Sequence, residues 1–135
     1  MTHLLDTSAL LAHYLGEPGG ASVQSLFEDE SISAGTSILA LFEFESRLQQ
    51  MGVDASTRAR DLNRYGALLA EIVEVNEAVR VEALRLRTVA ATRLSAMDTL
   101  IAATAVLHGA VLVHRDPHFA AIPTSYLKQE VLPAK

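Results

Sequence analysis

The sequence contains no cysteine, and only 5% of its 135 residues are aromatic. Without cysteine the chain has no disulfide bridge, no thiolate zinc site and no thiol nucleophile. The few aromatic residues, beside a hydrophobic content of 50%, predict a core of aliphatic side chains. The absence of cysteine also agrees with a reducing compartment, so the cytoplasm is the expected location.

Long hydrophobic runs are missing as well. No apolar segment approaches the length that crosses a membrane, and no basic segment precedes an apolar stretch near Met1. We therefore expect a protein that is neither exported nor inserted in a membrane. The length suits one domain, and residues 1–135 are expected to form a single one.

Positive charge is scarce and unevenly distributed. The formal net charge is −5, and the only lysines are Lys128 and Lys135. Residues 1–46 contain seven acidic residues and no lysine or arginine, whereas eight of the nine arginines lie between Arg47 and Arg93. The net charge argues against a protein that holds nucleic acid by bulk electrostatics. The distribution suits an acidic site that concentrates cations beside a surface that could hold phosphates.

The hydrophobic pattern predicts strands that alternate with helices. The expected strands cover residues 2–5, 31–34, 71–75, 110–113 and 125–127. The expected helices cover residues 9–15, 21–27, 36–50, 56–70, 76–93 and 96–108, with a weak turn near Phe119. Gly35 is expected to break the chain before the third helix. This alternation predicts an α/β fold with a parallel sheet covered on both faces.

Four acidic residues fall where such a sheet places its ligands. Asp6 and Asp116 follow predicted strands, while Asp98 and Glu43 lie in early turns of predicted helices. Ligands of parallel α/β sheets bind at the carboxyl ends of the strands. Clustered carboxylates are tolerated when a cation neutralises them, and Mg²⁺ and Mn²⁺ prefer oxygen ligands. The pattern therefore predicts a divalent metal site.

Each acid also has an ordinary structural explanation. Asp6 could cap the helix that follows it, and Asp98 could belong to a capping arrangement with Ser95. Asp116 precedes Pro117, which is typical of a turn. Glu43 could pair with Arg47 one helical turn later, for only about 0.3 kcal/mol. A helical wheel places Glu45 nearer the expected apolar stripe, so the wheel alone does not choose between the two glutamates.

The sequence resembles the PIN-domain ribonucleases and, among them, the VapC toxins of bacterial toxin–antitoxin pairs. Four segments carry the resemblance and together span nearly the whole chain. They are LLDTSAL at 4–10, SILALFEFESRL at 37–48, LSAMDTLIAA at 94–103 and VLVHRDPHF at 111–119. The spacing of the second segment places the family glutamate on Glu43 rather than Glu45.

The resemblance implies a three-layer α/β/α sandwich with a short, mostly parallel sheet. It implies a Mg²⁺- or Mn²⁺-dependent endoribonuclease that cuts tRNA, rRNA or mRNA, forms a homodimer and is inhibited by a cognate antitoxin protein. By similarity, the catalytic and metal-binding residues are Asp6, Glu43, Asp98 and Asp116. A hydroxyl group of Thr7 or Ser8 would support these metal-binding residues without contacting the metal.

Two histidines have no assigned role, and several arginines are candidates for RNA contacts only because of their charge. Many members of the family carry Ser or Thr where this chain has His114. His114 and His118 could contact RNA or metal, but loop histidines are more often polar surface, so both are left outside the metal set. Arg80, Arg87 and Arg93 could contact RNA phosphates, although exposed arginines on a helix are commonly solvated.

Two other functions compete with the nuclease. In a phosphatase or phosphoryl-acceptor domain, Asp6 would be the nucleophile, but such sites use a lysine near the phosphate and this chain has lysine only near its tail. A PIN-like domain could also be a non-catalytic module that binds RNA or protein. The four acids argue against that alternative.

Overall fold

A computed structural model describes residues 1–135 and contains one sheet of five parallel strands. The strands are β1 (His3–Leu5), β2 (Ala34–Ser37), β3 (Ile72–Val73), β4 (Val111–His114) and β5 (Gln129–Val131). Their order across the sheet is β3-β2-β1-β4-β5, so β1 lies at the centre. Every pairing is parallel, as the alternation of strands and helices predicted.

Six α-helices and one short 3₁₀ helix connect the strands. The α-helices are α1 (Thr7–Leu15), α2 (Gly20–Glu28), α3 (Ile38–Gln50), α4 (Ala55–Leu68), α5 (Glu77–Val89) and α6 (Ala96–Leu107). The 3₁₀ helix spans Pro117–Ala121, between β4 and β5. None of the helices is both long enough and apolar enough to cross a membrane.

The two faces of the sheet are covered by different helices because neighbouring side chains of a strand point to opposite sides. Leu4 of β1 belongs to a core that also contains the buried residues of α5 and α6. The next residue, Leu5, belongs to a second core with α1, α2 and α4 and with Phe44 of α3. The fold is therefore the expected α/β/α sandwich.

The second strand begins three residues later than predicted. Gly35, expected to break the chain, lies inside β2, where all four residues are buried. A Cβ atom at this position would lie 2.7 Å from the carbonyl oxygen of Glu71, just before β3. Glycine is present because the two backbones approach closely, and not because the chain turns there.

The last strand also lies further along the chain, at Gln129–Val131 instead of 125–127. The amides of Tyr126 and Leu127 donate to the carbonyl of Pro123 at 2.9 and 3.2 Å, so a turn uses the groups that a strand would need. Helix α5 ends at Val89 instead of residue 93. The amide of Ala91 there donates to Ala121 at 2.8 Å, a tertiary contact that helical periodicity does not predict.

Candidate metal centre

The site lies where the connections of the central strands diverge. The chain leaves β1 towards β2 on one side, and it leaves β4 towards β5 on the other. In open parallel sheets this divergence opens a crevice at the carboxyl ends of the two strands. Asp6 follows β1 directly, and Asp116 lies two residues after β4. These two acids therefore flank the crevice.

Asp6 is 4% exposed and begins α1 as its N-terminal cap. Its Oδ1 atom accepts hydrogen bonds from the Ser8 amide, from the Ser8 hydroxyl at 2.7 Å and from the Ala9 amide at 3.4 Å. Burial nevertheless raises the pKa of Asp6 to about 7, despite these hydrogen bonds, and the charge of Asp116 adds a small increment. The capping explanation is thus correct, but it does not account for a carboxyl group so costly to ionise.

The hydroxyl groups of Thr7 and Ser8 each hold a different acid. Thr7 Oγ1 donates to Glu43 Oε1 at 2.7 Å, and so links the start of α1 to α3. Ser8 Oγ donates to Asp6 and accepts from the amide of Arg115 at 3.0 Å. The first turn of α1 therefore connects the ends of β1 and β4 with the glutamate on α3.

The two glutamates of α3 have different surroundings. Glu43 contacts Thr7, whereas Glu45 forms an ion pair with Arg58 of α4 at 3.6 Å. The helical wheel could not separate the two glutamates because it counted Phe42 in the apolar stripe, and Phe42 is 66% exposed. The buried residues of α3 are Ala40, Phe44 and Leu48, which leave position 43 next to α1.

Asp98 and Asp116 approach each other closely, together with His118. One possible ligand atom from each of the three residues lies within 4.8 Å of the other two. Burial raises the pKa of the half-buried Asp98, and the negative charges of Asp116 and Glu43 raise it further. His118 lies 2.9 Å from Asp116, measured from Nδ1 to Oδ1. The sequence interpretation left His118 out, because its only signal was its position two residues after Asp116.

His114 does not lie on the surface, contrary to the sequence interpretation. It is the last residue of β4, is 1% exposed and packs against Phe119 with ring centroids 4.7 Å apart. Burial lowers its pKa, which favours the neutral imidazole. Its Nδ1 atom accepts from the amide of Asp116 at 3.1 Å, so it contacts the backbone of the fourth acid.

The donor set fits a hard divalent cation. Asp98, Asp116 and His118 form the compact group. Asp6 and Glu43 lie outside this group, but each interacts electrostatically with one of its members. The charge of Asp116 raises the pKa of Asp6, and the charge of Glu43 raises the pKa of Asp98. Carboxylates that disfavour one another's ionisation, without a lysine or arginine between them, are the arrangement that a Mg²⁺ or Mn²⁺ ion stabilises.

Cationic side chains lie beside one of these acids. A cleft of about 310 Å³ is lined by Ser8, Asp116, Arg47, Arg115 and Lys135, among others. Arg115 and Lys135 both pair with Glu17 there, so Arg47 is the cation in this cleft without an ion pair. The tail lysine therefore lies nearer the acids than its position in the sequence indicates.

Arg87 and Arg93 line a separate cavity of about 410 Å³, whose lining includes Thr99 but none of the four acids. Arg87 Nη1 donates to the carbonyl of Leu94 at 3.2 Å, and Arg93 has no ion pair. Arg80 pairs with Glu77 on its own helix. Of the three predicted RNA contacts, Arg93 is thus the most available to a ligand.

Solved structures with the same fold are numerous. A chain of VapBC2 from Rickettsia felis, bound to a DNA fragment from the promoter, aligns with a TM-score of 0.76 and 20% identity over 98% of this chain and 100% of that one. A chain of DNA-bound VapBC from Salmonella typhimurium aligns with a TM-score of 0.75 and 17% identity over 97% of this chain and 98% of that one. VapC20 from Mycobacterium tuberculosis, a toxin that cleaves the sarcin–ricin loop, aligns with a TM-score of 0.70 and 18% identity over 98% of this chain and 100% of that one.

The sequence has no significant match among curated proteins. The sequence pattern of the PIN domain family, in contrast, matches residues 3–124, which include all four acids and both hydroxyl residues that support them. The match covers most of the sequence and agrees with the topology of the sheet. The chain therefore belongs to the PIN domain family.

Proposed function

We propose that this protein is a Mg²⁺- or Mn²⁺-dependent endoribonuclease that acts as the toxin of a toxin–antitoxin pair. The observation that carries the proposal is the close approach of Asp98 and Asp116 at a crevice that Asp6 and Glu43 also border. Membership of the PIN domain family supports the nuclease, and the structural similarity to a toxin that cleaves the sarcin–ricin loop supports RNA as its substrate.

Within this proposal, Asp6, Glu43, Asp98 and Asp116 hold the metal, and His118 lies close enough to contribute. The bound cation would lower the pKa of a water molecule and offset the charge that develops on the phosphate. The chain's own contribution is to orient the acids: Ser8 holds Asp6, Thr7 holds Glu43, and the start of α6 holds Asp98 through Ser95 at 3.1 Å. No covalent intermediate with the protein is needed.

RNA binding would depend on a few cations because the net charge is −5. Arg47 lines the cleft that contains Asp116, and Arg93 lines a separate cavity that contains Thr99, the residue after Asp98. A single strand that crosses the acids could place a phosphate near either arginine. The RNA would be a tRNA, rRNA or mRNA, and Arg80 and Arg87 remain weaker candidates for contacts.

The toxin assignment includes two protein partners, an antitoxin and a second copy of this chain. Its support is the match to chains from toxin–antitoxin complexes of three bacteria, among them VapBC-1 of nontypeable Haemophilus influenzae. An acidic site is blocked most directly by an inserted arginine or lysine. A basic peptide from the antitoxin should therefore compete with the metal or the RNA. Induced expression should arrest bacterial growth, and Asp98→Asn should relieve the arrest.

The direct test uses purified protein, Mn²⁺ and an end-labelled structured RNA. We expect cleavage that EDTA abolishes and that Asp98→Asn reduces at least 100-fold, because one ligand is lost. Glu43→Gln and Glu45→Gln form a matched pair, since both neutralise a glutamate of α3 but only Glu43 contacts Thr7. We expect a large loss from Glu43→Gln and little from Glu45→Gln.

The same assay separates the nuclease from a non-catalytic binding module. RNA binding that needs no metal, without cleavage by the wild-type protein, would support the module and contradict our proposal. Cleavage that survives EDTA, or that Glu43→Gln and Glu45→Gln reduce equally, would contradict the assignment of the metal site.

A further inference from the structure

His114 connects the core of the sheet to the segment that carries Asp116. Both of its ring nitrogens are engaged although the side chain is buried: Nδ1 meets the amide of Asp116 at 3.1 Å, and Nε2 meets Oε1 of Gln129 on β5 at 2.8 Å. A backbone amide can only donate, so Nδ1 is the acceptor and Nε2 carries the proton. The contacts therefore fix one neutral tautomer.

Gln129 extends this network to the far end of the 3₁₀ helix. Its Nε2 atom donates to the carbonyls of Phe119 and Ile122 at 3.1 and 3.3 Å. These two acceptors fix the orientation of the amide, so its oxygen faces His114. The network is closed, because every polar side-chain atom in it has a partner.

The network holds the segment 116–122 at both ends. His114 fixes the backbone at Asp116, and Gln129 fixes the carbonyls of Phe119 and Ile122. Between these points, the Asp116 side chain accepts from the amide of His118 at 2.9 Å. The hydrogen bond that His114 accepts from the Asp116 amide therefore helps to position Asp116 relative to Asp98 on α6, next to the bond that Ser8 accepts from the amide of Arg115. Groups that orient metal ligands commonly change metal affinity 10- to 100-fold when removed.

We propose that His114 and Gln129 are positioning residues that hold Asp116 at the metal site without contacting the metal or the RNA. This inference rests on the proposed metal-dependent function, because it assumes that Asp116, which His114 and Gln129 hold in place, is a metal ligand. It predicts that the hydrogen bond from the Asp116 amide to His114 matters more for metal binding than the contact between His114 and Gln129.

Two substitutions of His114 separate these contacts. The Oδ1 atom of asparagine takes about the place of the imidazole Nδ1, so His114→Asn keeps an acceptor for the Asp116 amide. The Nε2 atom of glutamine takes about the place of the imidazole Nε2, so His114→Gln keeps the donor to Gln129 but loses the acceptor. Each variant loses one hydrogen bond, so the metal-free proteins should unfold at similar temperatures.

The experiment measures Mn²⁺ affinity from the free-ion signal in electron paramagnetic resonance, well below the unfolding temperature. We expect His114→Gln to weaken binding about tenfold or more, and His114→Asn to stay within about threefold of wild type. Gln129→Met, at a partly exposed strand position, is a second test if His114→Gln does not fold. It removes three hydrogen bonds without changing the charge, and should weaken binding about threefold to tenfold.

Hydrogen exchange at the Asp116 amide tests the positioning role without metal. Protection should be kept in wild type and His114→Asn and lost in His114→Gln. Equal protection and equal Mn²⁺ affinity in all three proteins would overturn the inference, as would losses that only follow the unfolding temperature. Absence of Mn²⁺ binding by wild type would instead contradict the proposed function, while the exchange result would still decide whether His114 holds the amide.

Discussion

At the scale of single residues, the site is defined by acids whose surroundings oppose their ionisation. Asp6 is buried below the crevice and receives hydrogen bonds from the first turn of α1, yet its pKa is raised to about 7. The pKa of Asp98 is also raised, by burial and by the charges of its acidic neighbours. Such groups lower the stability of the metal-free protein, and a bound cation would offset this cost.

The pKa of Asp6 predicts how stability depends on pH. Its pKa is about 7 in the folded chain and near 3.8 when unfolded, so the folded state binds the proton more tightly. Its stabilising contribution is complete below pH 4 and is lost as the pH rises to about 7, by roughly 4 kcal/mol at most. Asp6→Asn keeps a capping oxygen and removes this titration.

Thermal unfolding without metal should therefore show Asp6→Asn to be more stable than wild type at pH 8, with the difference shrinking towards pH 4. Mn²⁺ should raise the unfolding temperature of wild type more than that of the variant. A difference between the two proteins that does not change with pH would contradict the raised pKa.

The sequence was sufficient for some of these residues and not for others. Asp6 and Asp116 could be placed because each follows a strand, and that position depends on local pattern alone. The surroundings of Glu43 and Glu45 could not be told apart by periodicity, since Phe42 is exposed. The burial of His114 depends on Gln129, fifteen residues further along the chain, a contact that local sequence does not encode.

At the scale of helices and strands, the alternating apolar pattern predicts the parallel sheet but not every boundary. The helices were predicted well because capping residues such as Ser37, Asp54 and Ser95 mark their starts. Strands β2 and β5 were misplaced, because Gly35 was interpreted as a chain break and polar Gln129 does not look like a strand residue. Their pairing with β1 and β4 determines where they lie.

Gly35 offers a test of strand packing. Gly35→Ala should destabilise the protein by about 1–3 kcal/mol, because the added Cβ would lie 2.7 Å from the Glu71 carbonyl oxygen. Gly66→Ala is the matched control: Gly66 lies inside α4 with no atom near an added Cβ, and alanine favours helix by up to about 1 kcal/mol. Urea unfolding of both variants measures the two effects. Equal stability of the two variants would contradict the close approach of β2 and β3.

At the scale of the whole molecule, the acids lie at the crevice, and only a few arginines are free of ion pairs. The acidic crevice can attract a cation while these arginines attract phosphates, despite a net charge of −5. Most other arginines are occupied: Arg85, for example, pairs with Glu82 and lies 5.1 Å from the Tyr126 ring centroid. The number of phosphate contacts should therefore be small.

Arg93→Ala should raise the KM for RNA about fivefold with little change in kcat, because a phosphate contact outside the reacting centre is lost. The slope of log RNA affinity against log salt concentration should also become shallower, by the amount that corresponds to about one phosphate contact. Arg85→Ala removes the same charge from a paired arginine and should change neither quantity. A loss confined to kcat, or equal effects of the two substitutions, would contradict a phosphate contact at Arg93.

The central claim, a metal held by all four acids, is tested most directly by the location of bound Mn²⁺. Substoichiometric Mn²⁺ broadens the nuclear magnetic resonance signals of nearby amides. We predict that the amides of Thr7, Ser8, Glu43, Thr99 and Asp116 broaden first, and that Asp98→Asn abolishes this selectivity. Broadening that begins instead at the exposed acidic run 28–30, or that is uniform over the acidic surface, would contradict the claim.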